Sequence, residues 1–180
     1  MFITREQLNG YDRGFSIANS YIRASQMEAS AANSREANVT IFLSHSHKDR
    51  VLIEPAISFL RSHGVKIYVD WLDTGMPDVI SGDTAKKIKE RINQHKKFLV
   101  MVTENSKNSR WVPWELGYAD PTKGMDHIAS FPVTEKANDY DFNNNEYMKI
   151  YPKIYYVGEA WYIWQDDPQK ITKLTDWLRS

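Results

Sequence analysis

Three short runs constrain this chain more than any other feature: Val39-Thr-Ile-Phe-Leu-Ser44, Val65-Lys-Ile-Tyr-Val-Asp70 and Lys97-Phe-Leu-Val-Met-Val-Thr103. They are short, apolar and rich in β-branched residues. Strands without a solvated face belong to parallel sheets covered by helices on both sides. Helical segments separate them. Residues 47–63 carry Val51, Leu52, Ala56, Phe59 and Leu60 at helical spacing, with Pro55 at a kink or late first turn and Gly64 as the C-cap. Asp83 or Thr84 is expected to cap a second helix that ends near His95, with Ala85, Ile88 and Ile92 inside. The intervening 71–82 segment, with Gly75, Pro77 and Gly82, is a long loop.

The alternation continues. Residues 110–120 form a helix that stops before Pro121, and residues 127–133 a fourth strand. Residues 134–149 are rich in Asn and Asp and read as a surface loop. Strands are expected over 154–157 and 161–164, then a terminal helix opened by Asp167-Pro168 with Ile171, Leu174 and Leu178 facing inward. Strands and helices alternating at this length imply an α/β, flavodoxin-like doubly wound sheet with mainly parallel strands. Residues 1–37 are polar, with Phe15, Ile17, Tyr21, Ile22 and Met27 at loosely helical spacing, and are set apart as an N-terminal helical extension of a 38–180 domain.

Composition excludes several roles. The 23 basic and 23 acidic side chains cancel, so no overall field draws the chain to nucleic acid or an anionic membrane. No run approaches the roughly 20 apolar residues of a membrane span. The absence of cysteine removes disulfides and thiolate metal sites and suits a reducing cytoplasm. His45 and His47 at i, i+2 lack an evident third ligand, so no metal site is assigned. No glycine-rich phosphate loop occurs.

Candidate chemistry gathers where strands end, the ligand-bearing edge of such a sheet. Ser44 and His45 end the first run, Asp70 and Trp71 the second. After the third comes Arg110-Trp111-Val112-Pro113-Trp114-Glu115-Leu116. Pro113 fits only in a first helical turn, Ser106 and Ser109 are plausible caps, and residues four apart share a face, so Glu115 lies one turn from Trp111. Proximity to a helix N-terminus favours an ionised Glu115. Asp70 reads as a loop-anchoring acid and Trp71 as a wall. Lys86, Lys87, Lys89 and Arg91 read as a solvated face balanced by Glu90.

Taken in order, these landmarks resemble a Toll/interleukin-1 receptor (TIR) domain. Ile41-Phe42-Leu43-Ser44-His45-Ser46-His47-Lys48-Asp49 is similar to the family's first-strand signature. Val65-Lys66-Ile67-Tyr68-Val69-Asp70 resembles its second strand, and the segment closing on Gly82-Asp83-Thr84 its BB loop. Trp111-Val112-Pro113-Trp114-Glu115 looks like the Trp-x-x-x-Glu motif of NAD-cleaving members. The resemblance implies Glu115 as the catalytic glutamate, stabilising positive charge on the ribose, with Phe42, Ser44, His45, Asp70, Trp71 and Trp111 lining bound substrate. NAD⁺ would be substrate, not cofactor. The resemblance to stand-alone prokaryotic members implies anti-phage defence of the Thoeris kind, an ADP-ribose-derived signal for a separate effector protein, and self-association through surfaces that include residues 71–82. Two alternatives stand beside it: a non-catalytic assembly module, and glycosyl transfer on another nucleotide.

Overall fold

The computed structural model describes residues 1–11, 40–75, 81–137, 145–165, 167 and 169–180. Its elements are β1 (Ile3–Thr4), α1 (Arg5–Asn9), β2 (Thr40–Ser44), α2 (Arg50–Ser62), β3 (Lys66–Tyr68), α3 (Gly82–Gln94), β4 (Lys97–Val102), α4 (Glu104–Lys107), α5 (Trp111–Lys123), β5 (Ile128–Thr134), β6 (Lys153–Val157), β7 (Ala160–Trp164), β8 (Ile171–Lys173) and α6 (Leu174–Arg179). The sheet runs β3-β2-β4-β5-β6-β7-β8. Its first five strands are parallel and follow the flavodoxin order, and β7 and β8 extend it in antiparallel fashion.

Side-chain alternation divides the core into two layers. Ile41 and Leu43 of β2, Leu99 and Met101 of β4, and Ala129 and Phe131 of β5 pack against α1, α2 and α6. Phe42, Phe98, Val100, Val102 and Ile128 face α3 and α5. On α3 the buried row is Thr84, Ile88 and Ile92, with Ala85 only half-buried. The cap of α3 is Ser81, which forms a reciprocal capping box with Thr84, rather than Asp83 or Thr84.

Both prolines expected to interrupt helices lie inside them. Pro55 lies in α2, and α5 continues through Pro121 to Lys123. Each proline removes the hydrogen bond to the carbonyl four residues earlier. Those residues, Val51 and Gly117, are exposed, so water can satisfy the two carbonyls. Gly124, at φ 76°, then ends α5.

The two chain ends depart from expectation. Residues 1–11 are not a separate extension: β1 pairs in parallel with β5 (Ile3 opposite Val133), and Met1 exchanges backbone bonds with Tyr156 of β6. Thr4 caps α1 through a capping box with Gln7, and Leu8 and Ile3 are almost fully buried. Apolar residues at 2, 3 and 8 supply this anchorage, so the division at residue 37 does not follow the packing. The expected helical residues between Phe15 and Met27 lie outside the described residues. At the C-terminus the expected helix is preceded by β8, which satisfies the outer edge of β7, leaving Ile171 exposed while Leu174 and Leu178 are buried. The 134–149 stretch, where described, ends in a 3-10 turn over Glu146–Ile150 that buries Met148.

Leu8→Ala should lower the unfolding free energy of the full chain by ~2–5 kcal/mol in urea titrations. A loss below ~0.5 kcal/mol would mean that the N-terminal segment is only loosely attached.

Candidate functional site

The strand order reverses between β2 and β4, and their C-terminal ends open toward the same edge. The turn after β2 is fixed by Asp49, which accepts hydrogen bonds from Thr103 Oγ1 at 2.5 Å and Asn105 Nδ2 at 2.7 Å. Thr103 in turn forms a capping box with Ser106 at the start of α4. This assigns Ser106 to α4, and Ser109 Oγ accepts from the backbone of Trp111 and Val112 at the start of α5. Asp49 is a tether that the sequence did not single out, because its partners lie more than fifty residues away.

Along α5 the buried residues are Val112, Glu115, Leu116 and Ala119, an i, i+3, i+4, i+7 row facing the sheet. Glu115 is the one acid in that row, 3% exposed, and Ser44 Oγ donates to its Oε2 at 2.5 Å. Burial, reinforced by the negative charge of Asp70 and only partly offset by the Ser44 bond, raises the Glu115 pKa to about 8. This corrects the expectation of an ionised carboxylate. Glu115 is the fifth residue of the helix, beyond the turn where the dipole acts strongly, and desolvation wins.

Asp70 begins the 3-10 turn Asp70–Leu72 after β3 and accepts the Trp71 backbone N–H at 2.9 Å. Its other neighbours are His45 Nε2 at 3.7 Å and His47 Nε2 at 3.9 Å. The His45 Nδ1 donates to the Leu43 carbonyl at 3.1 Å. Burial lowers the His45 pKa against the opposing pull of Asp70, so the ring is neutral near pH 7. Among the described residues, His45 Nε2 and Trp71 Nε1 are buried without a hydrogen-bond partner. Trp71 packs on the α2 side of the sheet beneath the Arg50 guanidinium, 5.7 Å from the ring centre.

Ser44, Glu115, His45 and Asp70 thus converge. Phe42, like Ser44, is 1% exposed, and its ring stacks on Phe98 at 5.4 Å and lies 5.3 Å from Tyr68. Lying one residue pair deeper in β2 than Ser44, it is sealed by its neighbours on β3 and β4. Trp111 is half-buried on the opposite side of the sheet from Trp71, edge-to-face with Trp114 at 5.3 Å.

The start of the 71–82 segment is tied to α3. Asp73 accepts from Tyr68 Oη at 2.7 Å, Arg91 Nε at 2.7 Å and the Gly75 N–H at 2.8 Å. Burial opposes charge on Asp73, but these donors outweigh it and hold its carboxyl below the ordinary range. Met76, Pro77, Val79 and Ile80, on which self-association was expected to rest, lie outside the described residues. Of the cationic row on α3, Lys86 and Lys87 make exposed or half-exposed pairs with Asp83 and Glu90, while Lys89 lies over the rings of Trp114 and Tyr118. Among the described residues no group of three or more His, Cys, Asp or Glu is placed to hold a metal ion, and no helix is long and apolar enough to cross a membrane.

A family profile described as the TIR domain matches residues 41–152, which include both Ser44 and Glu115. The chain belongs to the TIR domain family. Within this TIR domain, similarity extends to a probable 3′ cyclic ADP-D-ribose synthase, ThsB′, of Bacillus cereus (strain MSX-D12), 36% identical over 116 residues, or 63% of this chain and 59% of that protein. A putative cyclic ADP-D-ribose synthase, TIR2, of Cytobacillus dafuensis is 35% identical over 82 residues, 44% of this chain and 22% of that protein. The chain therefore matches less than two thirds of the length of either relative.

The carboxyl of Glu115 makes a stability prediction. Its folded pKa is raised from 4.5 to about 8, so its contribution is fully present below the unfolded value and is lost as pH rises through the folded one. Glu115→Gln keeps an acceptor for Ser44 without that penalty. The variant's advantage in urea midpoint over wild type should widen between about pH 5 and about pH 8, whereas a constant difference would show the carboxyl to be ionised throughout.

Proposed function

We propose that this TIR domain is an NAD⁺-consuming enzyme that breaks the nicotinamide–ribose bond, with Glu115 as the catalytic carboxylate that stabilises the ribosyl cation. The observation that carries this reading is the dry Glu115 carboxyl, held by Ser44 at the ligand-bearing sheet edge of a TIR domain. Nicotinamide leaves with the bonding electron pair as a neutral base, so the leaving group needs no proton. Positive charge grows on the ribose instead, as in glycoside hydrolysis. A carboxylate fixed beside that charge, in a site poor in water, stabilises it far more than a solvated one would. The raised pKa fits this role: the cationic substrate favours the ionised form, so Glu115 gains its charge as NAD⁺ arrives. Trp111 and Trp71 supply aromatic surface on opposite sides of the sheet for flat rings.

The relatives' names support a cyclised ADP-ribose as the product class. On this reading the product is a nucleotide signal made in the cytoplasm during anti-phage defence and read by a separate effector protein, with self-association completing the assembly.

Purified full chain incubated with NAD⁺ should release nicotinamide and an ADP-ribose derivative separable by mass. Glu115→Gln should lower turnover by about 10²-fold or more. Equal turnover in variant and wild type would overturn the role of Glu115, and no nicotinamide release from crowded wild-type protein would overturn the enzyme reading. In wild type, kcat/KM for NAD⁺ should rise with pH, reach half its maximum near 8 and level off above that as the free protein's Glu115 ionises. A flat profile from about pH 6 upward would show that this ionisation does not control the reaction.

A further inference from the structure

Beside the Ser44–Glu115 contact lies an imidazole whose hydrogen bonding is incomplete. The His45 side chain is 2% exposed. Its Nδ1 faces the Leu43 carbonyl at 3.1 Å, and since a carbonyl can only accept, the ring proton stays on Nδ1. That leaves Nε2 as a lone pair, buried and without a hydrogen-bond partner among the described residues. It faces Asp70 Oδ1 at 3.7 Å. In the neutral ring these are two acceptors turned toward each other, an arrangement completed by a proton or by a donor brought by a ligand. The second oxygen of Asp70 faces His47 Nε2 at 3.9 Å, and the His47 side chain is 49% exposed. A row of three titratable groups thus leads from a buried lone pair to solvent.

We propose that His45 Nε2 is the base that takes the proton from the hydroxyl group capturing the ribosyl cation, with Asp70 stabilising the imidazolium and His47 passing the proton on to solvent. This rests on the NAD⁺-cleaving reading above. The step balances. The C1′–N bond breaks and its electron pair leaves with neutral nicotinamide. A lone pair of the acceptor oxygen forms the new C1′–O bond. The O–H proton moves to Nε2, creating an imidazolium next to the Asp70 carboxylate; the carboxylate then takes that proton and hands it to His47, which releases it to water. The acceptor is a hydroxyl, either of water or of a ribose within the substrate. Its source is read from product mass, since only the hydrolysed product contains an added water.

Base exchange separates this role from substrate binding or folding. When labelled nicotinamide recaptures the cation to regenerate NAD⁺, no O–H proton has to be removed. His45→Gln should therefore keep exchange of labelled nicotinamide into NAD⁺ within about threefold of wild type while net product formation falls roughly 10²-fold. Parallel loss of both activities in a folded variant, or loss of neither, overturns the proposal. If wild type shows neither nicotinamide release nor exchange, the failure belongs to the NAD⁺-cleaving reading instead. Should His45→Gln fail to fold, the wild-type ratio of net turnover to exchange decides. The charged groups acting on the ring are Asp70, His47 and Asp49. The ratio should rise with pH below neutrality, where the imidazole gives up its proton, because Glu115 supports the cation in both reactions and its own titration cancels. A ratio flat across the acid range overturns the proposal.

Discussion

Keeping a carboxyl group dry at a sheet edge is the constraint on which the rest of this structure depends. Glu115 occupies a position on α5 that the helix otherwise gives to Val112, Leu116 and Ala119. An unsatisfied acid there would oppose folding by several kcal/mol, so the helix can dock only where the carboxyl finds a partner. Ser44 supplies it from the last residue of β2. The end of β2, the docking of α5 and the reversal of strand order are consequently one arrangement. Asp49 secures the adjoining turn through Thr103 and Asn105, so the element carrying His45 and His47 is held between two polar anchors.

What could be read from residues alone follows from the range of the forces involved. The three apolar runs became β2, β3 and β4, with the burial continuous in β4 and only partial in the edge strand β3, and Glu115 was visible because it lies one helical turn from Trp111 in a motif that resembles the family's. The Ser81 cap is local, its partner Thr84 lying three residues on, whereas the persistence of α5 beyond Pro121 and the strand before α6 depend on neighbours that a local reading does not see. The charge state of Glu115 misled for the same reason: helix position is written in sequence, whereas desolvation is a property of the assembled site. Phe42 shared the face and neighbourhood of Ser44, yet one step of depth along β2 places it under Phe98 and Tyr68.

The loop after β3 joins the site to the far layer of the core. Tyr68 contacts both Phe42 and His95 and also donates to Asp73, which Arg91 of α3 grips in turn. Movement of α3 would therefore reach the turn that carries Asp70 by a path of direct contacts rather than through solvent. The cationic row on α3 is accordingly not a uniform solvated face: Arg91 braces the loop, and Lys89 covers aromatic surface of α5.

The pairing of β1 with β5 bears on how the chain reaches this state. Thr134 Oγ1 donates to the Ile3 carbonyl across 131 residues of sequence. During synthesis β1 must wait until β5 has been made before its partner strand exists. Until then Phe2, Ile3 and Leu8 have no sheet to cover and are open to other apolar surfaces. Closing so long a loop is slow, which makes the N-terminal strand a late arrival in folding.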